Sequence, residues 1–404
     1  MKKYLVILFV AMIMGFGFSY ARASPNLVQN GSFERVASDG FAYEWKKSSW
    51  GTLESSFSYP VSGRTGNAVQ VSIGELDPFA DDHGALIETK YLLSVRPGEK
   101  YTYTDYIIGN GTSVYLDIRY TLANGSFLYR GLTSTTTSGV WKKTTVPITV
   151  PAGAVAMSVY RVANSAGTFT IDDVLLTAQP LPAPPVGKGF VTFSFDDGRS
   201  ESSVIPLLKN LGIKGTFFLN PTPLIEQWEP GIVFTLAEVK TLVAHGHEIG
   251  NHTLTHSSLI GLAPDELDRQ VVGSKEMLES MTGRSVLTFA YPFGDFDLAS
   301  YALVAANHIG ARGVWDSELN TKTSDRYNLF SFNPVQSTPV SQILSLIDQA
   351  ANSGSWLILS FHQIGPSSLG MYSYQESDLS TVISYAKQKA QIITIRDGLS
   401  RYIN

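Results

Sequence analysis

A proline-rich segment divides this 404-residue chain into two parts whose hydrophobic patterns differ. Four of the six positions from 180 to 185 are proline. Prolines remove backbone hydrogen-bond donors and favour a stiff, extended path, so we expect a linker over residues 178–187. The chain is also too long for one ordinary domain. The sequence therefore predicts one domain over residues 24–177 and a second over residues 188–404.

The first of these parts has the pattern of an all-β domain. Short runs in which apolar and polar residues alternate, such as Val114–Tyr120, are separated by Gly, Asn, Ser and Pro turns. Long stretches with helical spacing of apolar residues are absent from this part of the sequence. Each alternating strand has one face to bury, and two stacked antiparallel sheets bury it. We therefore expect a β-sandwich.

The two ends of this β domain carry a characteristic pair of segments. The domain opens with Asn26–Glu34 and closes with Phe169–Val174. This pairing resembles the jelly-roll carbohydrate-binding modules and the galactose-binding-like domains. The resemblance implies a jelly-roll sandwich with a glycan ligand. Glu34 and Asp173 are candidates to share a structural calcium ion between the chain ends, because carboxylates suit calcium.

Four aromatic residues of the β domain have two alternative roles. An aromatic ring offers an apolar plane that matches the C–H face of a pyranose, so each could stack on a sugar. Sandwich cores also use aromatic residues, and the core is the more common place for any one of them. The four residues are Tyr43, Trp45, Trp50 and Trp141.

The second part alternates strand and helix patterns. Helical patterns such as Pro264–Met281 and Val340–Asn352 lie between apolar runs, which indicates a parallel sheet covered by helices. A closed or nearly closed βα barrel fits best, and an open doubly wound sheet is the alternative. The seven predicted strands are Phe190–Phe195, Lys214–Leu219, His247–Thr253, Leu287–Tyr291, Ala311–Trp315, Trp356–His362 and Gln391–Ile395.

Polar side chains follow four of these strands at the point where each strand ends. Asp196 and Asp197 follow the first strand, and His252 and His256 follow the third. The turn Pro292–Gly294 follows the fourth strand, and His362 ends the sixth. In βα barrels the carboxyl ends of the strands form the rim on which active sites are built. We therefore expect these four clusters to converge.

The chemistry of the converging side chains indicates a metal-dependent hydrolase. One carboxylate and two imidazoles are a common three-ligand set for a catalytic divalent metal, with a further position open to water. The two imidazoles here are spaced i, i+4, at His252 and His256. A second carboxylate beside that water is free to act as a base.

The same residues carry a resemblance to a known family. Ser194–Gly198 matches the T-F-D-D-G motif of the NodB-homology polysaccharide deacetylases, carbohydrate esterase family 4, and His252–His256 matches the second motif, H-[ST]-x-x-[HS]. Tyr291–Gly294 resembles the third motif and Leu359–His362 the last. The resemblance spans essentially all of residues 188–404. It implies a distorted (β/α)7 barrel, which agrees with the seven strands counted above.

The resemblance also implies a role for each side chain. Asp197, His252 and His256 would bind the metal, which is typically zinc, although cobalt or another divalent ion is an alternative. Asp196 would be the general base that takes a proton from the attacking water. His362 would be the general acid that protonates the leaving amine. The backbone N–H of Phe293 would help to hold the oxyanion.

The sequence departs from the family pattern at two places. The third motif often begins with an arginine that orients the catalytic base, but Ala290 occupies that position. Arg312, near the tip of the next predicted strand, is a candidate to supply the missing guanidinium. The fourth motif is not clear, and Trp315–Asp316 is its nearest match. Asp316 would either adjust His362 or lie in a loop.

The first 23 residues have the pattern of a secretory signal peptide. Lys2 and Lys3 precede an apolar run over residues 4–18, and Ala21 and Ala23 form a small-x-small cleavage site before Ser24. The run is short for a membrane span, although a retained anchor is the alternative. We expect an exported protein in the medium, the periplasm or the cell envelope, with no membrane attachment after cleavage.

Charge and cysteine content exclude several classes of function. The net charge is -5, and no basic block suggests nucleic-acid binding. The chain contains no cysteine, which excludes thiol chemistry and cysteine-ligated metals. The expected partner is an acetylated polysaccharide, and no protein partner is predicted.

The leading hypothesis is a deacetylase that removes N-acetyl groups from chitin-like glycans, peptidoglycan or poly-N-acetylglucosamine. O-deacetylation of acetylxylan by the same machinery is the nearest alternative. A glycan-binding protein with an inactive deacetylase domain is a second alternative, favoured only by the alanine at position 290. A hydrolase of small cyclic amides is a third, but an export signal and a sandwich module are not needed for such substrates.

Overall fold

A computed structural model describes residues 24–51, 54–74, 84–180, 188–199, 204–226, 233–314 and 318–403. The predicted signal peptide, most of the proline-rich linker and the predicted fourth motif at Trp315–Asp316 lie outside these ranges. Within them, no helix is both long enough and apolar enough to cross a membrane.

The N-terminal domain is a sandwich of two antiparallel sheets, as predicted. The first sheet has the strand order β1-β4-β10-β7-β8, with β5 paired to β10, and the second has the order β2-β3-β11-β6-β9. The strands are β1 (Trp45–Trp50), β2 (Ser55–Ser62), β3 (Asn67–Ile73), β4 (Gly84–Thr89), β5 (Leu93–Ser94), β6 (Lys100–Gly109), β7 (Ser113–Leu122), β8 (Phe127–Thr136), β9 (Lys142–Thr149), β10 (Ala154–Ala163) and β11 (Gly167–Ala178). The alternating residues of β6 and β7 are buried on the inner faces, as the sequence pattern predicts.

The C-terminal domain is built on a curled parallel sheet covered by helices. Its strands are β12 (Gly189–Phe195), β13 (Thr216–Leu219), β14 (Glu248–Asn251), β15 (Thr288–Ala290), β16 (Gly310–Arg312), β17 (Trp356–Phe361) and β20 (Ala390–Ile392), while β18 (Gln363–Ile364) and β19 (Ser373–Tyr374) form a separate pair. Its helices are α1 (Val204–Asn210), α2 (Pro221–Glu226), α3 (Leu236–Ala244), α4 (Pro264–Asp268), α5 (Ser274–Thr282), α6 (Leu298–Asn307), α7 (Val340–Ser353), α8 (Glu376–Lys389) and α9 (Ile395–Arg401). A π-helical turn, Arg269–Gly273, joins α4 to α5.

The distorted barrel that the sequence predicts is confirmed, and its sheet has seven strands. The sheet runs β16-β15-β14-β13-β12-β17, and two isolated bridges, Arg312 with Leu329 and Phe332 with Leu359, span the gap from β16 to β17. The predicted strand Gln391–Ile395 corresponds to the short β20, which pairs in parallel with the first half of β12 and is the seventh strand of the sheet. Residues 329–332 make only single bridges to the neighbouring strands, so this segment is not a regular strand and lacks the sequence pattern of one.

The sandwich packs against the end of the barrel where the strands begin. Helix α9 covers this end, since the backbone N–H of Ile395 donates to Thr216 at the start of β13. Arg96 of the sandwich forms an ion pair with Asp397 of α9. One hydrophobic cluster runs from the sandwich core to Trp356 and Leu399 of the barrel. The two domains therefore share a core despite the linker between them.

A buried lysine joins the two domains. The Nζ of Lys275 on α5 lies 2.5 Å from a carboxylate oxygen of Glu44 in the sandwich and 2.7 Å from one of Glu279. Neither Lys275 nor Glu279 has any exposed side-chain surface. Burial would lower the pKa of Lys275, but the two nearby carboxylates outweigh it and raise that pKa. The ammonium therefore stays charged inside the interface.

Replacing this lysine should destabilise the protein strongly. Lys275→Met leaves a buried carboxylate without its counter-charge, which we expect to lower the free energy of unfolding by about 3–5 kcal/mol. Urea unfolding measures this loss. Adding Glu44→Gln to Lys275→Met should recover part of it, and Lys389→Met, which breaks an exposed pair with Asp348, should change little. Equal effects of Lys275→Met and Lys389→Met would contradict the buried pairing.

Candidate metal centre and active-site cleft

The two adjacent aspartates lie on a left-handed turn at the end of β12. The whole of β12 is buried, and its pairing continues one residue further because the N–H of Asp196 donates to the carbonyl of Phe361 at 2.9 Å. Asp197 has φ 65° and Gly198 has φ 62°. This region disfavours most side chains and marks a turn whose geometry is held by its surroundings. The turn directs the chain away from the sheet directly after Asp196.

The loop with the two histidines is fixed by buried amide side chains. The side-chain Nδ2 of Asn220 donates to the carbonyls of His252 and of Thr253. The Oε1 of Gln270, on the π-helical turn, accepts from the next two backbone N–H groups at 3.0 and 3.1 Å. Thr253 and His256 have φ 68° and 61°. The i, i+4 spacing of the histidines therefore belongs to a strained loop and not to a helix.

Asp197, His252 and His256 meet in one cluster. The Oδ1 of Asp197 lies 3.4 Å from Nε2 of His252 and 3.2 Å from Nε2 of His256. The three ligand atoms lie within 4.8 Å of one another, and the described part of the chain holds no other such group of three. The Nδ1 of His252 lies 2.8 Å from the carbonyl of Ala290. Because a carbonyl only accepts, that Nδ1 donates the hydrogen bond, and Nε2 is the ring nitrogen that faces Asp197.

This cluster fits a divalent metal. The Oδ1 of Asp197 is buried and accepts no hydrogen bond from any described residue. Burial alone would raise the pKa of Asp197, but His252, His362 and His256 outweigh it and lower that pKa. Burial also lowers the pKa of His256, with a further contribution from the charge of His252. A carboxylate and neutral imidazoles are the protonation states in which these side chains bind metals.

The side chain of Arg312 contacts the second aspartate, Asp196. A side-chain nitrogen of Arg312, at the end of β16, forms an ion pair with Oδ1 of Asp196, and the arginine has no exposed side-chain surface. Its guanidinium also lies over the ring of Phe218, 4.8 Å from the centroid. Ala290, on the neighbouring strand β15, lies directly opposite Arg312 in the register of the sheet. A guanidinium thus reaches Asp196 from the strand beside the one on which the family pattern places it.

His362 stands directly beside Asp196 in the register of the sheet. Phe195 pairs with Phe361, so the next residue of each strand is a site residue. The ring of His362 lies against that of Tyr372, with centroids 5.1 Å apart. Its Nδ1 is buried and makes no hydrogen bond within the described ranges. Asp316, the candidate partner from the sequence, lies outside those ranges, so that pairing stays a prediction.

Phe293 forms part of the lip of the site. It lies in the turn Pro292–Gly294 with φ 61°, and 63% of its surface is exposed. Its ring makes an edge contact with His256, with centroids 4.7 Å apart. An exposed phenylalanine beside a candidate metal ligand leaves an apolar surface at the mouth of the cluster. The role of its backbone N–H stays a prediction.

All seven site residues predicted from the sequence lie at one end of the barrel. Six of them line a single cleft of about 650 Å³, and the seventh, Arg312, supports the cleft from behind through Asp196. We call this the strand-end cleft; the six are Asp196, Asp197, His252, His256, Phe293 and His362. Tyr372 and Met371 also line it and were missed, because they lie between two paired strands, β18 and β19, that are too short for a sequence signal.

Two ionisable residues that are close to His252 in sequence lie away from this cluster. Glu248 sits at the opposite end of β14, where its carboxylate accepts from the hydroxyls of Thr216 and Thr288. The Nδ1 of His247 accepts from the N–H of Gly215 at 3.1 Å. These contacts explain why two further ionisable residues so close to His252 in sequence do not join it.

The candidate residues of the sandwich separate into buried and surface groups. Tyr43 and Trp45 are buried, whereas Trp141 and Trp50 are partly exposed. The carboxylate of Asp173 pairs with Arg64 at 2.6 Å, and that of Glu34 accepts from the N–H of Asn67 at 2.8 Å. Each carboxylate of the predicted calcium pair has its own partner. The calcium ion stays a prediction.

Comparison with known families agrees with this geometry. Residues 183–314 match the family model for polysaccharide deacetylase, a range that contains the aspartates, both histidines and Arg312. Residues 183–314 therefore match a polysaccharide deacetylase domain. The match leaves out His362 and the sandwich, so it does not extend to the whole chain.

Individual relatives match part of this chain. A peptidoglycan-N-acetylglucosamine deacetylase of Bacillus cereus is 33% identical over 28% of this chain and 38% of its own length. A chitin deacetylase of Pestalotiopsis is 34% identical over 24% of this chain and 32% of its own. Among solved structures, a peptidoglycan N-acetylglucosamine deacetylase has 20% identity and a TM-score of 0.38, over 55% of this chain and 91% of that one. The chain thus spans well under half the length of the two curated relatives.

Metal binding at the cluster should be measurable without any substrate. Zinc at about 100-fold above its dissociation constant should raise the stability by about 2.7 kcal/mol, because it binds only the folded state. Thermal unfolding with zinc or with chelator measures the difference. Asp197→Asn should abolish it, while Asp348→Asn on the far surface should leave it intact. An undiminished zinc effect in Asp197→Asn would place the metal elsewhere.

Proposed function

We propose that this protein is a metal-dependent hydrolase that removes N-acetyl groups from glycans containing N-acetylglucosamine. The observation that carries the proposal is the convergence of three candidate metal ligands with a second carboxylate and a third imidazole in one cleft. Amide hydrolysis needs an activated water, stabilisation of a tetrahedral intermediate and a proton for a poor leaving group. This set of side chains offers a group for each need.

Three residues would hold the metal. Asp197, His252 and His256 provide one carboxylate oxygen and two imidazole nitrogens, a donor set that suits zinc and is also open to cobalt or another divalent ion. When bound, the ion would supply Lewis-acid activation of the attacking water and of the acetyl carbonyl. The contact of His252 with Ala290 would keep its ring in the required orientation.

Asp196 would act as the general base. The hydrogen bond from the backbone N–H of Asp196 to the carbonyl of Phe361 fixes the backbone beside the cluster. The ion pair with Arg312 restrains the carboxylate of Asp196. The guanidinium leaves the carboxylate in place as an acceptor and balances its charge in a buried environment. Arg312 is therefore a positioning residue that would replace the arginine that is absent at Ala290.

His362 would act as the general acid. It lines the cleft on the side of Asp196, and the ring of Tyr372 restricts its movement. An imidazole can give up a proton near neutral pH, which suits protonation of the leaving amine. The N–H of Phe293 would help to stabilise the oxyanion from the opposite lip.

The chemistry of the cleft and the names of the relatives support this substrate class. The names of two relatives specify peptidoglycan N-acetylglucosamine and chitin, which share the N-acetyl group. The cleft is open and bordered by the exposed side chains of Phe293, Met371 and Tyr372, which suits a polymer with apolar sugar faces. The predicted signal peptide supports export to such a polymer outside the cytoplasm.

Acetate release tests the proposed function. The mature protein with zinc should release acetate from N-acetylglucosamine oligomers, and chelator should stop it. Asp196→Asn should lower kcat by about 10²–10⁴-fold, because it removes the proton acceptor while keeping the shape of the side chain. Release from acetylated xylan alone would favour O-deacetylation. Failure to release acetate from either substrate would contradict the enzyme hypothesis and favour a binding protein.

Arg312 should affect turnover more than substrate binding. Arg312→Met leaves Asp196 without its restraint, so we expect kcat to fall while KM stays nearly constant. Arg312→Lys keeps the positive charge but not the planar guanidinium, so it should recover part of the loss in kcat. Thermal unfolding checks that both variants fold. A change confined to KM, or a loss that follows the fall in stability in both variants, would contradict a positioning role.

A further inference from the structure

A second recess lies where the sandwich meets the barrel. It has a volume of about 680 Å³ and shares no lining residue with the strand-end cleft. The sandwich contributes Arg35 and Lys143 to the lining, and the barrel contributes His308, Arg326 and Tyr327. We call it the interdomain recess and define it by these five residues. A ligand held between them would contact both domains at once.

The interdomain recess carries an excess of positive charge. Its whole lining holds four cationic side chains and two carboxylates; the cations are Arg35, Arg64, Lys143 and Arg326, and the anions are Glu34 and Asp173. Both carboxylates are engaged, since Asp173 pairs with Arg64 at 2.6 Å and Glu34 accepts from the N–H of Asn67 at 2.8 Å. The chain as a whole has a net charge of -5. Positive charge gathered in a concave surface of an acidic protein indicates an anionic ligand.

Arg35 presents a guanidinium whose position is restrained. Its backbone N–H donates to Oδ1 of Asn30 at 2.9 Å, and its carbonyl accepts from Nδ2 of Asn30 at 2.9 Å and from the hydroxyl of Tyr59 at 3.0 Å. The guanidinium lies over the ring of Tyr43, 4.0 Å from the centroid. Within the described ranges it makes no hydrogen bond or ion pair. Stacking covers one face of the group and leaves the N–H groups at its edge available for a bidentate contact.

His308 adds a buried N–H donor from the barrel. Only 4% of its surface is exposed. The Oδ1 of Asn251 accepts from the N–H of Thr253 at 3.1 Å, which leaves the Nδ2 of Asn251 facing Nε2 of His308 at 3.3 Å. Burial lowers the pKa of His308, and the charges of Lys275 and Arg35 lower it further, so the ring is neutral. Because the amide nitrogen only donates, Nε2 accepts and Nδ1 is the N–H of that neutral ring.

This Nδ1–H is buried and has no hydrogen-bond partner within the described part of the chain. A buried donor without an acceptor is costly, so it indicates a ligand that accepts. The cations could instead balance the negative end of helix α6, which stops at Asn307. However, the hydroxyl of Tyr327 already reaches the carbonyls of Ala305 and His308, at 3.3 and 3.2 Å. The helix end therefore does not account for the orphaned donor and the guanidinium beside it.

We propose that the interdomain recess binds a phosphate group, either as inorganic phosphate or as a phosphomonoester. The guanidinium edge of Arg35 would donate to two of its oxygens, and the Nδ1–H of His308 would donate to a third. A carboxylate has only two oxygens, which the guanidinium alone would occupy, whereas a phosphate group has a further oxygen for the imidazole. The charges of Lys143 and Arg326 would balance the rest of the negative charge.

A phosphate group at this place would bridge the two domains. Arg35 belongs to the sandwich and His308 to the barrel, so the ligand would bind only when the two domains are docked as they are here. Phosphate would therefore stabilise the docked arrangement by binding to it. This role is separate from the proposed hydrolysis, because the two cavities have no residue in common.

Isothermal titration of the mature protein with inorganic phosphate tests this proposal without turnover. Metal is first removed by dialysis, so that phosphate cannot bind at the metal centre, and the ionic strength is held constant. Glycerol 3-phosphate is the phosphomonoester probe, and glucuronate is the carboxylate probe. We expect saturable binding of phosphate or of the monoester and weaker binding of glucuronate. Arg35→Gln should weaken phosphate binding at least about tenfold, because it removes charge-assisted hydrogen bonds. Arg35→Lys keeps the charge but not the planar guanidinium and should recover part of the affinity.

Two further variants separate the interdomain recess from other cationic surface. Arg269→Gln removes a guanidinium from an exposed pair with Glu266 and should leave phosphate binding unchanged. His308→Met removes the buried donor and should weaken binding; thermal unfolding checks that this variant folds, and if it does not, the Arg35 variants alone decide. Absence of saturable binding of both phosphate probes, equal affinity of Arg35→Gln and Arg269→Gln, or glucuronate bound as tightly as phosphate would overturn the proposal. No step of this test depends on acetate release, so it and the test of the proposed function fail independently.

Discussion

The parallel pairing of β12 with β17 determines where the candidate site residues lie. Six consecutive residue pairs join the two strands, from Phe190 with Trp356 to Phe195 with Phe361. Because the register is unbroken to the last pair, Asp196 and His362 emerge side by side although 165 residues separate them in sequence. The pairing of β13 with β12 and with β14 then brings the histidine loop to the same edge. A slip of one residue would turn these side chains away from the cleft.

Much of this arrangement could be predicted from the sequence because strong signals coincide. The apolar runs of β12 and β17 are fully buried, and each ends in the polar residues that mark the site. The contact between the side chain of Arg312 and Asp196 was harder to predict. Only the register of β15 with β16 shows that the side chain of Arg312 can reach Asp196 from β16, the strand beside the one that holds Ala290. Tyr372 and Asn220 carry no motif, and their contacts depend on loops whose paths are set by tertiary packing.

The sequence did not predict how the domains meet. A proline-rich linker suggests independent modules, yet Lys275, Arg96 and Arg396 tie the sandwich to the barrel through ionic and hydrogen-bonded contacts. Such contacts join residues 200 to 300 positions apart and leave no local pattern. The location of these contacts explains why the sandwich leaves the strand-end cleft open. The sandwich covers the end of the barrel where the strands start, while the candidate site residues lie where the strands end.

The central claim is that Asp197, His252 and His256 together hold one divalent ion beside Asp196. The most direct measurement is anomalous diffraction at the zinc absorption edge from crystals of the mature protein grown with zinc. We expect a single dominant peak about 2 Å from Oδ1 of Asp197 and from Nε2 of both histidines. A cluster without a peak, or a dominant peak at other residues, would contradict it.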